Sequence, residues 1–280
     1  MTAVDLHLLV AGHSTQRELL ARRGGSWRKV PFPATVALIV HATGPALYDT
    51  GYSSHYLDAT TPFPERLYRW VIPGSITPRE TASAQLADYG YAADQVGTIV
   101  LSHLHADHSS GLRDFPSARI IAGEASPTTP SERAHGRLVT TTRQGLLPAT
   151  LPPDYATRRI APTSLPLVDT GLPQIPLGYD VFGDHSVVIV PLPGHSPDHL
   201  GLWIPATQGP PVLLVGDACW SRAALTGSLP PRPVLASMHN PTAYVRTIEA
   251  LSGLARSRPD ILIVPSHCHE SVTAAQAVLG

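Results

Sequence analysis

Short apolar runs broken by glycine and proline fill the first part of the chain. Residues 6–11, 35–41 and 46–49 read as strands, with Ala42-Thr43-Gly44-Pro45 as the turn between the last two. Thr77-Pro78-Arg79-Glu80 then predicts a helix: a threonine cap, proline in the first helical position and glutamate three after the cap. That helix should run to about Tyr89, where Gly90 is placed to end it. Residues 97–101 follow as a short buried strand, and it delivers the chain directly into Ser102-His103-Leu104-His105-Ala106-Asp107-His108. A further strand is predicted at 118–122, after a turn containing Gly111 and Pro116.

Between 123 and 178 the pattern degrades, with nine prolines from Pro127 to Pro176 scattered through it. So long a stretch with little periodicity predicts a functional lid inserted in one domain rather than a linker between two. Regular patterning then returns. Residues 187–192, 200–205 and 211–215 read as strands, and Asn240-Pro241 opens a helix on which Tyr244, Ile248, Leu251 and Ala255 share one face. A last buried strand at 261–264 ends at Pro265-Ser266-His267. No repeat is visible in the sequence.

Composition narrows the class. The chain has 280 residues, 43% of them apolar and 15% charged, with a mean hydropathy of +0.03. It is globular and large enough to bury a core. A formal charge of −1, with Lys29 the only lysine, offers no electrostatic footprint for nucleic acid or an anionic membrane. No apolar run is long enough to span a bilayer, and the start, with Asp5 and no basic segment, does not read as a secretory signal. The cytoplasm is the expected location. Two cysteines cannot make a disulfide framework. Fourteen histidines are an excess that points to metal or proton chemistry.

The histidines are concentrated where the strands end. His103, His105, Asp107 and His108 lie within six residues. On an extended segment residues two apart point the same way, so His103 and His105 can converge on one cation while a turn redirects Asp107 and His108 to a second. Pro193-Gly194-His195, Gly216-Asp217-Ala218 and Pro265-Ser266-His267 each add a ligand-type residue at the end of a predicted strand. His103, His105 and His195 at one metal leave Asp107, His108 and His267 for the other, with Asp217 bridging. Three nitrogen ligands favour Zn2+ at the first site, and the second suits Zn2+, Mn2+, Fe2+ or Co2+.

These motifs resemble the metallo-β-lactamase superfamily: His103-Leu104-His105-Ala106-Asp107-His108 matches its HxHxDH signature, and His195, Asp217 and His267 match its later ligands. Leu47-Tyr48-Asp49-Thr50-Gly51 matches its acidic turn. The resemblance covers about residues 6–270 and implies an α/β fold, the αββα sandwich of two mixed sheets flanked by helices, in a single domain over residues 1–280 with a lid at about 123–178. Within the superfamily the chain looks most like the N-acyl homoserine lactone lactonases, through Ala11-Gly12-His13 and Pro193-Gly194-His195-Ser196-Pro197-Asp198-His199. It departs from them at one position. Where such lactonases commonly carry a tyrosine three residues after the bridging aspartate, this chain has Trp220, which offers an indole N–H and an apolar wall for the substrate.

The expected function is cleavage of a small-molecule ester or lactone by two Zn2+ ions sharing a hydroxide, with Asp107 carrying the proton to the departing group and Asp217 holding both metals. A glyoxalase II-like thioesterase and an iron-dependent oxidoreductase on the same fold are the alternatives. Several neighbouring residues are expected to be structural. His199 and His269 should support ligands rather than bind, Asp49 should hold a histidine or a turn, and Cys219 and Cys268 should be small buried hydrophobes. Asp198, Arg22-Arg23 and Arg158-Arg159 read as surface groups. The sequence leaves the oligomeric state open.

Overall fold

The computed structural model describes residues 3–124 and 145–279. It is a mixed α/β fold with two mixed β-sheets and flanking helices. The chain divides into two compact units. One comprises Leu9–Gln16 and Pro31–Ile160, the other Met1–Leu8, Arg17–Val30 and Ala161–Gly280. The expected lid at 123–178 includes residues 125–144, which lie outside the described residues; its second half carries sheet strands.

The first sheet has seven strands: β1 (Asp5–Arg17), β2 (Lys29–His41), β3 (Gly44–Tyr48), β4 (Gly74–Ser75), β5 (Thr98–Val100), β6 (Arg119–Ile121) and β7 (Arg159–Ile160). Their order is β4-β1-β2-β3-β5-β6-β7, antiparallel between β2 and β3 and parallel from β3 through β7. β3, β5 and β6 are short apolar runs buried on both faces, which suits parallel strands. Leu38, Leu47, Ile99, Leu101, Phe115 and Ile120 form the centre of this unit's core.

The second sheet has six strands in sequential order: β8 (Leu167–Asp169), β9 (Leu177–Asp180), β10 (Val188–Pro191), β11 (Leu200–Ile204), β12 (Val212–Gly216) and β13 (Leu262–Pro265). β8 to β12 form an antiparallel meander, and β13 joins β12 in parallel. The helix Pro241–Ser257 makes that crossover. Asn240 caps it, accepting a hydrogen bond from Ala243 N, and Tyr244, Ile248, Leu251 and Leu254 are its buried face. The N-terminal segment completes this unit: Val4 bridges Thr207, and Gln276, on the helix His269–Leu279, donates to Leu8 O at 2.9 Å.

The helix expected over 77–89 is shorter than its start signal implies. Glu80 does reach back to accept from Thr77 N at 2.8 Å, but residues 78–80 form only a turn. The α-helix is Ala82–Gln85, because Thr81 supplies a second cap by accepting from Ala84 N, and a 3-10 turn, Leu86–Tyr89, finishes it. Gly90 ends it at φ 79° in the left-handed region, as expected. Arg158 and Arg159 are not free surface groups. Arg158 Nε donates to Ala118 O at 2.9 Å and Arg159 to Gly123 O at 2.6 Å, tying their segment to the two ends of β6. No helix among the described residues is long and apolar enough to cross a membrane.

Candidate metal centre

In the first unit the ligand-type residues follow β5. Asp49, just past β3, adopts φ 61°, a left-handed conformation that aspartate tolerates. Its N–H donates to Val100 O at 2.9 Å, so the turn is laid beside the end of β5. The fully buried carboxylate then gathers three donors: Ser102 N at 2.7 Å, Ser102 Oγ at 2.8 Å and His108 Nδ1 at 2.7 Å. Burial pushes its pKa up, against the opposing pull of His108 and the serine. Thr50 adds a second clamp, its N and Oγ1 both donating to His108 O at 2.8 and 2.9 Å. Asp49 thus both shapes the turn and orients a histidine.

With Nδ1 committed to Asp49, His108 presents Nε2, which lies 3.9 Å from Asp107 Oδ2. The His103 ring sits 4.3 Å, centroid to centroid, from those of both His105 and His108. His105 stands in extended conformation at the head of the short helix Ala106–Ser109, and Gly145 lies against its ring. A Cβ on Gly145 would come within 2.6 Å of His105 Cδ2. Four ligand-type side chains are thus brought together on one strand–turn–helix segment.

In the second unit the residues gather on one carboxylate. β12 and β13 run in parallel register up to Leu214 and Val264; an irregularity then sets Gly216 beside Pro265, so both strands end together. Gly216 takes φ 51°, and the turn exposes Asp217 to its neighbours. His267 Nε2 lies 3.0 Å from Asp217 Oδ1, and His195 Nε2 lies 3.2 Å from Oδ2. Each oxygen therefore faces a different imidazole. His195 is oriented by its other nitrogen, 3.3 Å from Met238 Sδ. Its loop is anchored to the helix Pro241–Ser257: Asn240 N donates to Gly194 O at 2.9 Å and Thr247 Oγ1 to Pro193 O at 2.7 Å.

His199 does not point its Nε2 at a ligand position; that atom accepts from Asp217 N at 3.0 Å. His269 is exposed at the start of its helix. Both cysteines are buried and free, and burial raises the Cys219 thiol to about 12. Two partners were missed by sequence reasoning. Met238 lies 43 residues from His195 with no motif to flag it. Trp220 Nε1 donates to Asp217 Oδ2 at 2.9 Å, a contact of which the sequence shows only the three-residue spacing.

Imidazole nitrogens and carboxylate oxygens converging at strand ends are a donor set that suits zinc and other divalent transition metals. A family model of the metallo-beta-lactamase superfamily matches residues 30–267, and the chain belongs to that superfamily. Relatives of the chain include proteins named as metallo-hydrolases and N-acyl homoserine lactonases. The chain is 29% identical over 243 residues to a probable metallo-hydrolase of Mycobacterium tuberculosis, covering 83% of this chain and 73% of that one. It is 26% identical over 241 residues to the N-acyl homoserine lactonase AiiB of Agrobacterium fabrum, covering 83% and 79%. A solved structure of a mutant of B. thuringiensis AiiA with N-decanoyl-L-homoserine bound at the active site matches with TM-score 0.72 at 22% identity, over 98% of this chain and 97% of that one. AidC, described as a dizinc quorum-quenching lactonase, matches with TM-score 0.60 at 16% identity, over 95% and 88%. At these identities the structural matches speak for the fold.

Proposed function

We propose that the protein is a dinuclear-zinc hydrolase that opens an ester or lactone bond of a small-molecule substrate, its two units acting as one metallo-β-lactamase-type domain. His103, His105 and His195 would hold one ion and Asp107, His108 and His267 the other, with Asp217 shared. The observation that carries this reading is the geometry of Asp217, whose two oxygens face His195 and His267 separately at 3.2 and 3.0 Å. That is the arrangement a bridging carboxylate requires. Ions bound there would lower the pKa of a coordinated water toward about 7 and polarise the substrate carbonyl.

The remaining work falls to the chain. Asp49 fixes the ring of His108, and Met238 orients that of His195, so the ligands are held before an ion arrives. Asp107 keeps some contact with solvent, its side chain 12% exposed, which suits a group that passes a proton to the departing alkoxide. The N-acyl homoserine lactonases among the relatives put lactones first among candidate substrates.

The test is elemental analysis of protein purified without added metal, paired with a hydrolysis panel of lactones, aryl esters and acyl thioesters. The expected result is two zinc ions per chain and turnover of lactones or esters, lost with chelator and restored by zinc. Turnover of thioesters alone would assign a thioesterase instead. Iron without hydrolysis would overturn the reading in favour of an oxidoreductase.

A further inference from the structure

The side chain three residues beyond Asp217 is tryptophan, and its N–H is already engaged. Trp220 Nε1 donates to Asp217 Oδ2 at 2.9 Å, the same oxygen that lies 3.2 Å from His195 Nε2. The indole ring also meets the His195 imidazole edge to face, with centroids 5.7 Å apart at 73°. It is half-buried, and its apolar body packs against the hydrophobic core of the second unit, a cluster that includes Val215, Cys219, Leu225 and Tyr244. One side chain thus touches both an expected bridging carboxylate and an expected ligand imidazole. An indole nitrogen carries a single hydrogen, donates only, and does not ionise near neutrality. A donor committed to a carboxylate is not offered to a substrate carbonyl.

We infer that Trp220 is a positioning residue for the metal centre rather than a substrate-binding donor. Its N–H holds Oδ2 of Asp217 on the side of His195 and thereby leaves Oδ1 to His267, so that one oxygen is presented toward each half of the ligand set. This inference rests on the dinuclear reading above. Removing a group that orients a ligand costs about 10- to 100-fold in metal affinity or activity. Trp220→Phe keeps an aromatic ring against His195 and deletes the N–H, so the loss is expected at the lower end, about 10-fold for one of the two ions.

Two measurements test this. In the first, wild type and Trp220→Phe are titrated with zinc against a chromophoric chelator, and far-ultraviolet circular dichroism checks that the variant is folded. Two ions in wild type with one weakened about 10-fold in the variant supports the inference. Two ions in both with equal affinity overturns the role of Trp220 alone, whereas no zinc binding by wild type overturns the proposed function and the role together. In the second, indole N–H resonances of 15N-tryptophan-labelled protein are assigned through Trp27→Phe, Trp70→Phe and Trp203→Phe, so it needs no substitution at Trp220. The Trp220 resonance should lie downfield of the exposed Trp27 and Trp70, and should move on zinc addition and in Asp217→Asn. A Trp220 signal indifferent to both would overturn the inference.

Discussion

Asp49 and His108 are both fully buried and joined by a 2.7 Å hydrogen bond from Nδ1 to Oδ2, although 59 residues separate them. The carboxylate is the hub on which the β3 turn, Ser102 and the histidine segment converge. Removing the acceptor of three buried donors costs about 3 kcal/mol or more, at about 1–3 kcal/mol for each donor left unsatisfied. Asp49→Ala is therefore expected to lower the unfolding free energy by that amount in chemical denaturation, and a loss below about 1 kcal/mol would show that the hub is dispensable.

Gly194 precedes His195 at φ 133°, and a Cβ on it would lie 2.2 Å from Tyr244 N. Neither the backbone of the helix nor the loop can yield cheaply there. Gly194→Ala combines about 1–3 kcal/mol of backbone strain with about 1–3 kcal/mol of overpacking. Gly90 is the control: it has φ 79° with nothing within 4 Å of the added carbon, so Gly90→Ala costs only about 1–2 kcal/mol. Equal melting temperatures for the two variants would contradict the close approach.

The Tyr56 hydroxyl donates to Ile72 O at 2.7 Å and accepts from Gly74 N at 3.2 Å, and burial pushes its pKa up to about 12. In the unfolded chain it titrates near 10. The folded state therefore keeps a proton that the unfolded state loses, and stability falls as pH rises from about 10 toward about 12. Tyr56→Phe should be less stable than wild type at pH 7 and should lose stability less steeply above pH 10, read from urea midpoints across that range. Parallel curves would refute the assignment.

Asp217→Ala removes the oxygens that face His195 and His267 and the acceptor of the Trp220 indole at once. If the centre holds two zinc ions as proposed, zinc content is expected to fall to one or none, and lactone or ester turnover to fall about 100-fold, the upper range for loss of a group supporting the metal. A variant retaining two ions and full turnover would exclude Asp217 from the centre.

The reach of sequence reasoning varied with the kind of contact. β3, β5, β6 and β10 to β13 lie within a residue or two of the predicted runs, because strands buried on both faces must be continuously apolar. β2 began earlier than expected, at Lys29. Pro31 and Pro33 obscured it, although Lys29 and Pro31 are exposed and alternate with the partly buried Val30 and Phe32. β8 and β9 were missed for a related reason: Leu167 and Leu177 are exposed, and Pro166 and Pro176 stand directly before the strands. The histidine and aspartate positions were legible since each follows a readable strand. Their partners were less so. Asp49 carried a motif, but Met238 and the direction of the Trp220 indole depend on loops whose path no periodicity records.

The interleaving of the two units in sequence bears on how the chain is made. The Leu9–Gln16 and Pro31–Ile160 unit can assemble once Ile160 has been synthesised, but the other draws on Val4, Leu8 and the segment Arg17–Val30 as well as everything beyond Ala161. Its first residues must wait for Gln276, 268 positions later, before Leu8 O meets its donor. Contacts of such separation close late. On the ribosome the unit that carries His103, His105, Asp107 and His108 would therefore be folded while the strands that lead to Asp217 and His267 were still being translated.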